Sequence, residues 1–194
     1  MDQVIFVNHA GSRKSGRFYI HYRPVSNSVL HELLNNGGFG NFVIVAEDQE
    51  IKISKELMEK HSPVLAAMLK TDCVESQKNK MKIDDFSFNV VKIIVKTMYS
   101  EKPPVDSSIE NMGEVCRFVD KYDMKDLWKI LEHWFEARLT FSTVCRIANI
   151  AHAYKLDDLY KKCVALIKDL QQFTREMDNI NDLKNEVLRD IIFP

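Results

Sequence analysis

Asn41-Phe42-Val43-Ile44-Val45-Ala46-Glu47-Asp48-Gln49-Glu50-Ile51-Lys52-Ile53-Ser54-Lys55 opens the stretch that decides the fold. The apolar run Phe42 to Val45 meets the turn-like Glu47-Asp48-Gln49, after which Ile51 and Ile53 alternate with lysine and serine. Two short runs joined in this way read as a strand hairpin. From Lys55 to Leu69, the residues Leu57, Met58, Val64, Leu65, Met68 and Leu69 recur at helical intervals, interrupted once by Ser62-Pro63. Proline suits a first helical turn and breaks an interior one, so this segment is a helix, a restart and a second helix. Met81-Lys82-Ile83 reads as a third short strand. Asn89 to Tyr99 reads as a helix with Val90, Val91, Ile94, Val95 and Met98 on its buried side.

Ile51-Lys52-Ile53-Ser54-Lys55-Glu56-Leu57-Met58-Glu59-Lys60-His61-Ser62-Pro63-Val64-Leu65 lies without a gap on the signature of BTB/POZ domains, which this chain therefore resembles. Glu75-Ser76, Ile83-Asp84-Asp85-Phe86, Phe88-Asn89-Val90-Val91 and Met98-Tyr99-Ser100 follow in the order and spacing of that family. The resemblance implies an α+β fold, a small sheet flanked by helical hairpins and followed by an all-helical extension. It divides the chain into an N-terminal strand-containing segment (1–25), a BTB/POZ domain (26–138) and a 3-box or partial BACK extension (139–194).

Outward from that centre, Ser26 or Ser28 caps a helix running to about Asn36, with Val29, Leu30, Leu33 and Leu34 as a narrow apolar stripe and Gly37-Gly38 as its end. A helix of about nine residues is too short to persist alone, so its stripe must be buried. The resemblance makes this the first helix of a two-fold dimer interface formed by Leu30, Leu33, Leu34, Asn41 and Leu57. The alternative is packing within the chain's own domain. Asn41 stands where the family usually has aspartate, and Ser54 where it usually has histidine; the asparagine keeps hydrogen bonds and loses charge. Nearer the start, Val4 to Val7 and Arg17 to Tyr22 read as strands around a polar, glycine-punctuated turn. They form either a hairpin or, as the family implies, a strand that docks on a partner protomer.

Asp72 to Lys80 is polar and reads as a solvated connection. Glu101, where the family commonly has glycine, precedes Pro103-Pro104, which close the preceding helix. Asp106 or Ser107 then begins a helix bearing Ile109, Met112, Val115, Phe118 and Val119. Family members that bind cullin scaffolds show a hydrophobic-x-acid triplet near this point, and Met112-Gly113-Glu114 fits it. In one reading Met112 is an apolar anchor and Glu114 a rim acid; in the other Met112 is core and Glu114 solvated. With Leu69 and Cys73, these residues make up the cullin contact the resemblance implies. Leu69 and Cys73 replace the family's frequent phenylalanine and methionine.

An internal repeat needs no family knowledge. Asp120-Lys121-Tyr122-Asp123-Met124-Lys125-Asp126-Leu127-Trp128-Lys129 returns 32 positions later as His152-Ala153-Tyr154-Lys155-Leu156-Asp157-Asp158-Leu159-Tyr160-Lys161. Each copy ends a helix at tyrosine and starts another at an aspartate suited to cap or complement a helix N-terminus. Trp128, Ile130, Leu131, Trp134 and Phe135 make the first following helix apolar, and Leu159, Cys163, Val164, Leu166 and Ile167 the second. Ile180, Leu183, Val187, Leu188 and Ile191 predict one final helix over Asp178 to Phe193.

The 194 residues carry a net charge of −1 with 45% hydrophobic and 28% charged residues, typical globular values without the clustered basic excess of a nucleic-acid binder. No apolar run reaches the roughly twenty residues a membrane span needs. Met1 to Val7 is too short, and too acidic at Asp2, for a signal peptide. Cys73, Cys116, Cys145 and Cys163 are widely spaced and read as free thiols in a reducing compartment, cytoplasmic or nuclear, with no metal or cofactor implied. Glycine is scarce at six residues, and no phosphate-cradling loop, nucleophile elbow or metalloprotease helix occurs. The expectation is a non-catalytic interaction module. It resembles a dimeric substrate adaptor of a cullin-type ubiquitin ligase, with a cullin and an unidentified protein substrate as partners. The alternative is a scaffold that forms homodimers or heterodimers with other BTB chains without recruiting a cullin.

Overall fold

The computed structural model describes residues 32–71, 74–172 and 180–192. The expected strands at Val4 to Val7 and Arg17 to Tyr22 lie outside these residues. A helical segment at 32–35 leads into β1 (Phe42–Ala46), β2 (Gln49–Ile53), α1 (Lys55–His61), α2 (Pro63–Lys70), α3 (Val74–Lys78), β3 (Lys80–Lys82) and α4 (Phe88–Ser100). The helices α5 (Ile109–Lys121), α6 (Trp128–Glu136), α7 (Val144–Ala153), α8 (Asp157–Gln172) and α9 (Asn185–Ile192) follow.

The sheet has the order β2-β1-β3, with β1 antiparallel to β2 and parallel to β3. Phe42, Ile44 and Ala46 of β1 face the core, as the period of two requires. Glu47 and Asp48 turn the hairpin with φ of 48° and 59°, both left-handed, which is the twist a two-residue hairpin loop needs. The third strand begins one residue before its expected position; Ile83 still continues the pairing by donating its N–H to Val45 O at 2.8 Å.

Helix starts follow serine. Ser54, Ser62, Ser87 and Ser108 each accept a hydrogen bond from a first-turn N–H of α1, α2, α4 and α5, and Pro63 opens α2. The described part of the expected solvated connection is not irregular: Val74–Lys78 is a short helix without a buried residue. One face of α4 and the sheet share a core with Met58, Leu65 and Phe86, and α5 carries that core across to α6 and α7.

Glu101 ends α4 at φ 53°, ψ 23°, its N–H donating to Thr97 O. A side chain in this left-handed position is strained where glycine is not. Glu101→Gly therefore raises unfolding free energy by about 0.5–1 kcal/mol. A urea midpoint that does not move would show the strain to be relieved elsewhere.

The repeat is a repeated turn. Tyr122 and Tyr154 end α5 and α7, while Asp123 and Lys155 take φ of 50° and 55°. Met124 and Leu156 return their N–H groups to Val119 O and Ala151 O, each at 2.9 Å. This is a six-to-one Schellman closure with an apolar residue buried behind it. The aspartates differ from expectation. Asp158 lies in the first turn of α8, but Asp126 sits in a 3-10 turn (Lys125–Leu127) and turns to His61 instead of capping α6. The last expected helix is also divided, into a 3-10 turn at Ile180–Asp182 and α9; Leu183, Val187 and Ile191 are buried as the stripe requires. Asn149 causes the break: its side chain accepts from Lys184 N and donates to Asp182 O, fixing the chain just before α9.

Candidate functional site

The residues expected at a dimer interface divide among three environments. Leu30 lies outside the described residues. Leu34 is 2% exposed and packs in the core of its own chain. Leu57 is half-buried against that core, while Leu33 is 40% exposed and remains available to another chain.

Asn41 is exposed but engaged within the chain. Its Oδ1 accepts from Lys55 N at 2.8 Å and its Nδ2 donates to Glu56 Oε1 at 3.3 Å. Ser54 Oγ accepts from Leu57 N and donates to Glu56 Oε2 at 2.6 Å, and Ser54 N donates to the Tyr99 hydroxyl. That hydroxyl in turn donates a hydrogen bond to Phe39 O at 2.8 Å. The Ser54 hydroxyl, with the Glu56 backbone and Asn41, holds the Glu56 carboxyl below its ordinary range, and burial pushes the Tyr99 phenol up. Asn41 and Ser54 thus form one capping network over the N-terminus of α1.

The residues expected to meet a cullin are also mostly internal. Leu69 is 4% exposed and Met112 fully buried, so within this chain both are packed in the core. Cys73 lies outside the described residues. Glu114 is exposed and receives Arg117 Nη2 at 2.7 Å and Nε at 2.9 Å. Gly113 explains why this triplet looks special. A Cβ there would lie 3.3 Å from Ile150 Cδ1, so the glycine lets α5 approach α7 closely. The spacing records helix packing between Met112 inside and Glu114 outside.

An exposed apolar side chain that sequence reasoning missed is Val74, 59% exposed at the start of α3, followed by the half-buried Glu75. The available signal was a lone valine in the polar run from Asp72 to Lys80. Past β3, Asp85 meets α5: Arg117 donates to Asp85 O, Lys121 Nζ lies 2.7 Å from Asp85 Oδ2, and the Arg117 guanidinium covers the Phe86 ring at 4.0 Å. The hydrogen bond from Lys121 holds the Asp85 carboxyl below its usual range. This flank is therefore an apolar tip followed by a fixed ladder of alternating charge.

Behind it, α1 and α2 are tied to the start of the helical extension. Ser62 Oγ donates to Tyr122 O at 2.6 Å in a buried position and caps α2 with its other face. His61 Nδ1 lies 2.6 Å from Asp126 Oδ2. A carboxylate oxygen accepts, so Nδ1 is the donor in this contact; Nε2 is buried and finds no partner among the described residues.

None of these features makes a reaction centre. Cys116, Cys145 and Cys163 are buried, and burial raises all three thiols, Cys163 to about 12. A thiol held protonated is a poor nucleophile and metal ligand. Among the described residues no group of three or more His, Cys, Asp or Glu is placed to hold a metal ion, and no helix is long and apolar enough to cross a membrane.

The profile of the BTB/POZ domain matches residues 30–139. "BTB and MATH domain-containing protein 42" of Caenorhabditis elegans is 23% identical over 162 residues, covering 79% of this chain and 40% of that protein. "TD and POZ domain-containing protein 3" of Mus musculus is 29% identical over 138 residues, covering 71% of this chain and 38% of that protein. The chain thus spans less than half the length of these relatives. Among solved structures, the BTB domain of human Gigaxonin is similar at 18% identity and a TM-score of 0.42, covering 58% of this chain and 97% of that one.

Proposed function

The chain belongs to the BTB/POZ domain family, whose members are generally protein-interaction modules, and from that premise we propose that it is a dimeric adaptor presenting a bound protein to a cullin-type ubiquitin ligase. The observation that carries this reading is Val74. An apolar side chain 59% exposed, on a helix without a buried residue, leaves most of its surface open to a partner. Followed by Glu75, it has the anchor-and-rim chemistry first sought at Met112 and Glu114. The helices after Leu139 would add a 3-box or partial BACK extension to the adaptor. Leu33 supports the dimer, because an exposed leucine on a short helical segment gains from a second copy across a two-fold axis. An adaptor of this kind works by effective concentration: the held protein stays near the ubiquitin-loading machinery, and two protomers increase engagement.

Co-purification with a cullin N-terminal domain tests the reading. The unmutated chain retains the cullin and Val74→Asp weakens retention about tenfold or more, the effect of charging an interface anchor. Leu33→Asp halves the mass seen by light scattering while the cullin contact persists. The second reading, a BTB scaffold that only self-associates, is favoured by the burial of Leu69 and Met112, which removes apolar area from the expected contact. Absence of retention by the unmutated dimer would establish that scaffold and remove the adaptor.

A further inference from the structure

On the side of the molecule formed by the loop after α4, residues Glu101, Lys102 and Pro103 face Lys129, Ile130, His133, Trp134, Ala137 and Arg138 across an open groove of about 420 Å³. That volume lies in the range of about 300–1,000 Å³ typical of ligand sites. Its floor is apolar, made by Pro103, Ile130, Trp134 and Ala137. It is also preformed. Trp134 Nε1 donates to Pro104 O at 3.2 Å, and Arg138 donates through Nη1 to Trp134 O at 3.1 Å and through Nη2 to Val105 O at 2.7 Å. The Arg138 guanidinium lies 3.8 Å from the centre of the Trp134 ring, so the rim cation and the aromatic wall fix each other.

The charge around the groove is unbalanced. Some basic residues elsewhere on the surface are paired, among them Lys80 with Glu50, Lys82 with Asp84, Arg117 with Glu114, Lys121 with Asp85, Arg146 with Glu110 and Lys162 with Glu136. Among the described residues, no carboxylate pairs with Lys102, Lys129 or Arg138, and Glu101 is the acid on this rim. Three cations against one carboxylate around the groove, Arg138 held in place and both lysines exposed, make a local field that attracts anions. Arg138 has spent two of the five N–H donors of a guanidinium on carbonyls, and the remainder suit a carboxylate.

We propose that this groove docks an extended acidic segment of a partner protein, which seats an apolar side chain against Ile130 and Trp134 and sets carboxylates on Lys102, Lys129 and Arg138. A basic or uncharged segment would gain the apolar floor but meet repulsion or nothing at the rim. The occupant is thus specified by charge, and the site stands whether or not a cullin is bound at Val74.

The test uses the full chain and a fluorescein-labelled hexapeptide reading glutamate, aspartate, leucine, tryptophan, aspartate, glutamate. Two control peptides replace its acids by lysine or its two apolar residues by serine. Anisotropy titration gives saturable binding for the first peptide and at least about tenfold weaker binding for both controls, with affinity falling as salt is raised. Reversing both rim lysines, Lys102→Glu with Lys129→Glu, lowers affinity about tenfold or more, whereas Glu101→Gln raises it a few-fold, as removal of opposing rim charge requires. Both lysines are exposed, so these variants keep the fold, which circular dichroism verifies. Ala137→Gln fills the groove from an exposed position and blocks binding without touching the core. Equal affinity for acidic and lysine peptides, indifference to the lysine reversals, or amide shifts that avoid Ile130, Trp134 and Ala137 would each overturn the proposal. So would peptide affinity that falls as protein concentration rises, since a second copy of the chain would then be the occupant.

Discussion

Gly40→Ala is expected to remove more than about 3 kcal/mol of unfolding free energy, because it combines a forbidden backbone region with a collision that nothing can absorb. Gly40 sits at φ 141°, and a Cβ there would lie 2.1 Å from Ile53 C, 2.2 Å from Ile53 O and 2.4 Å from Ser54 N. All three are main-chain atoms at the end of β2. To make room, the chain must move Phe39, whose carbonyl holds the Tyr99 hydroxyl, or Asn41, whose amide caps α1. The substitution therefore breaks the network that joins the first strand to the first helix. Gly37→Ala is the control: φ is 95° but nothing lies within 4 Å of the added carbon, so only backbone strain remains, on the order of 1 kcal/mol. Urea unfolding of the two variants separates these cases, and equal losses would show that the Ile53 backbone yields.

The second large effect belongs to Phe118→Ala, which is expected to cost about 3–5 kcal/mol. Phe118 is 1% exposed, with its ring 4.9 Å from Phe86 and 4.5 Å from Tyr122. It lies on α5, the helix that joins the sheet-bearing core to the helical extension, and the Tyr122 main chain also receives Ser62. Truncation opens a cavity where two parts of the fold meet, so the whole chain should lose stability in a single transition. Val105→Ala, at a side chain 82% exposed, should change stability by less than about 0.5 kcal/mol. Thermal melts that split into two steps for Phe118→Ala would show that the extension does not depend on this contact.

The elements were legible because their signals are local. The apolar run Phe42 to Val45, the alternation of Ile51 and Ile53 and the proline at the start of α2 each act within a few residues, whereas α5 starts from Ser108 and not from the expected Asp106 or Ser107. The repeat was equally visible, since both copies close the same Schellman turn. The site was less legible because exposure is a property of the assembled molecule. Met112 and Leu69 have the composition of contact residues and are core; Val74, in a run that reads as plain linker, stands in solvent. Sequence gave Asp126 a capping role by analogy with Asp158, but His61 arrives from sixty-five positions away and claims its carboxylate. The groove beside Trp134 was invisible for the same reason, as its two walls come from the loop after α4 and from α6.

The sheet's order also bears on how the protein behaves when concentrated. β3 lies at the outer side of β1 and is only three residues long, Lys80-Met81-Lys82, entered through Asn79 at φ 48°. A like chain adding there in register would bring lysines of neighbouring molecules together on both sides of one methionine. Short length and repeated positive charge make this border a poor template for stacking strands, and discourage fibril growth from it.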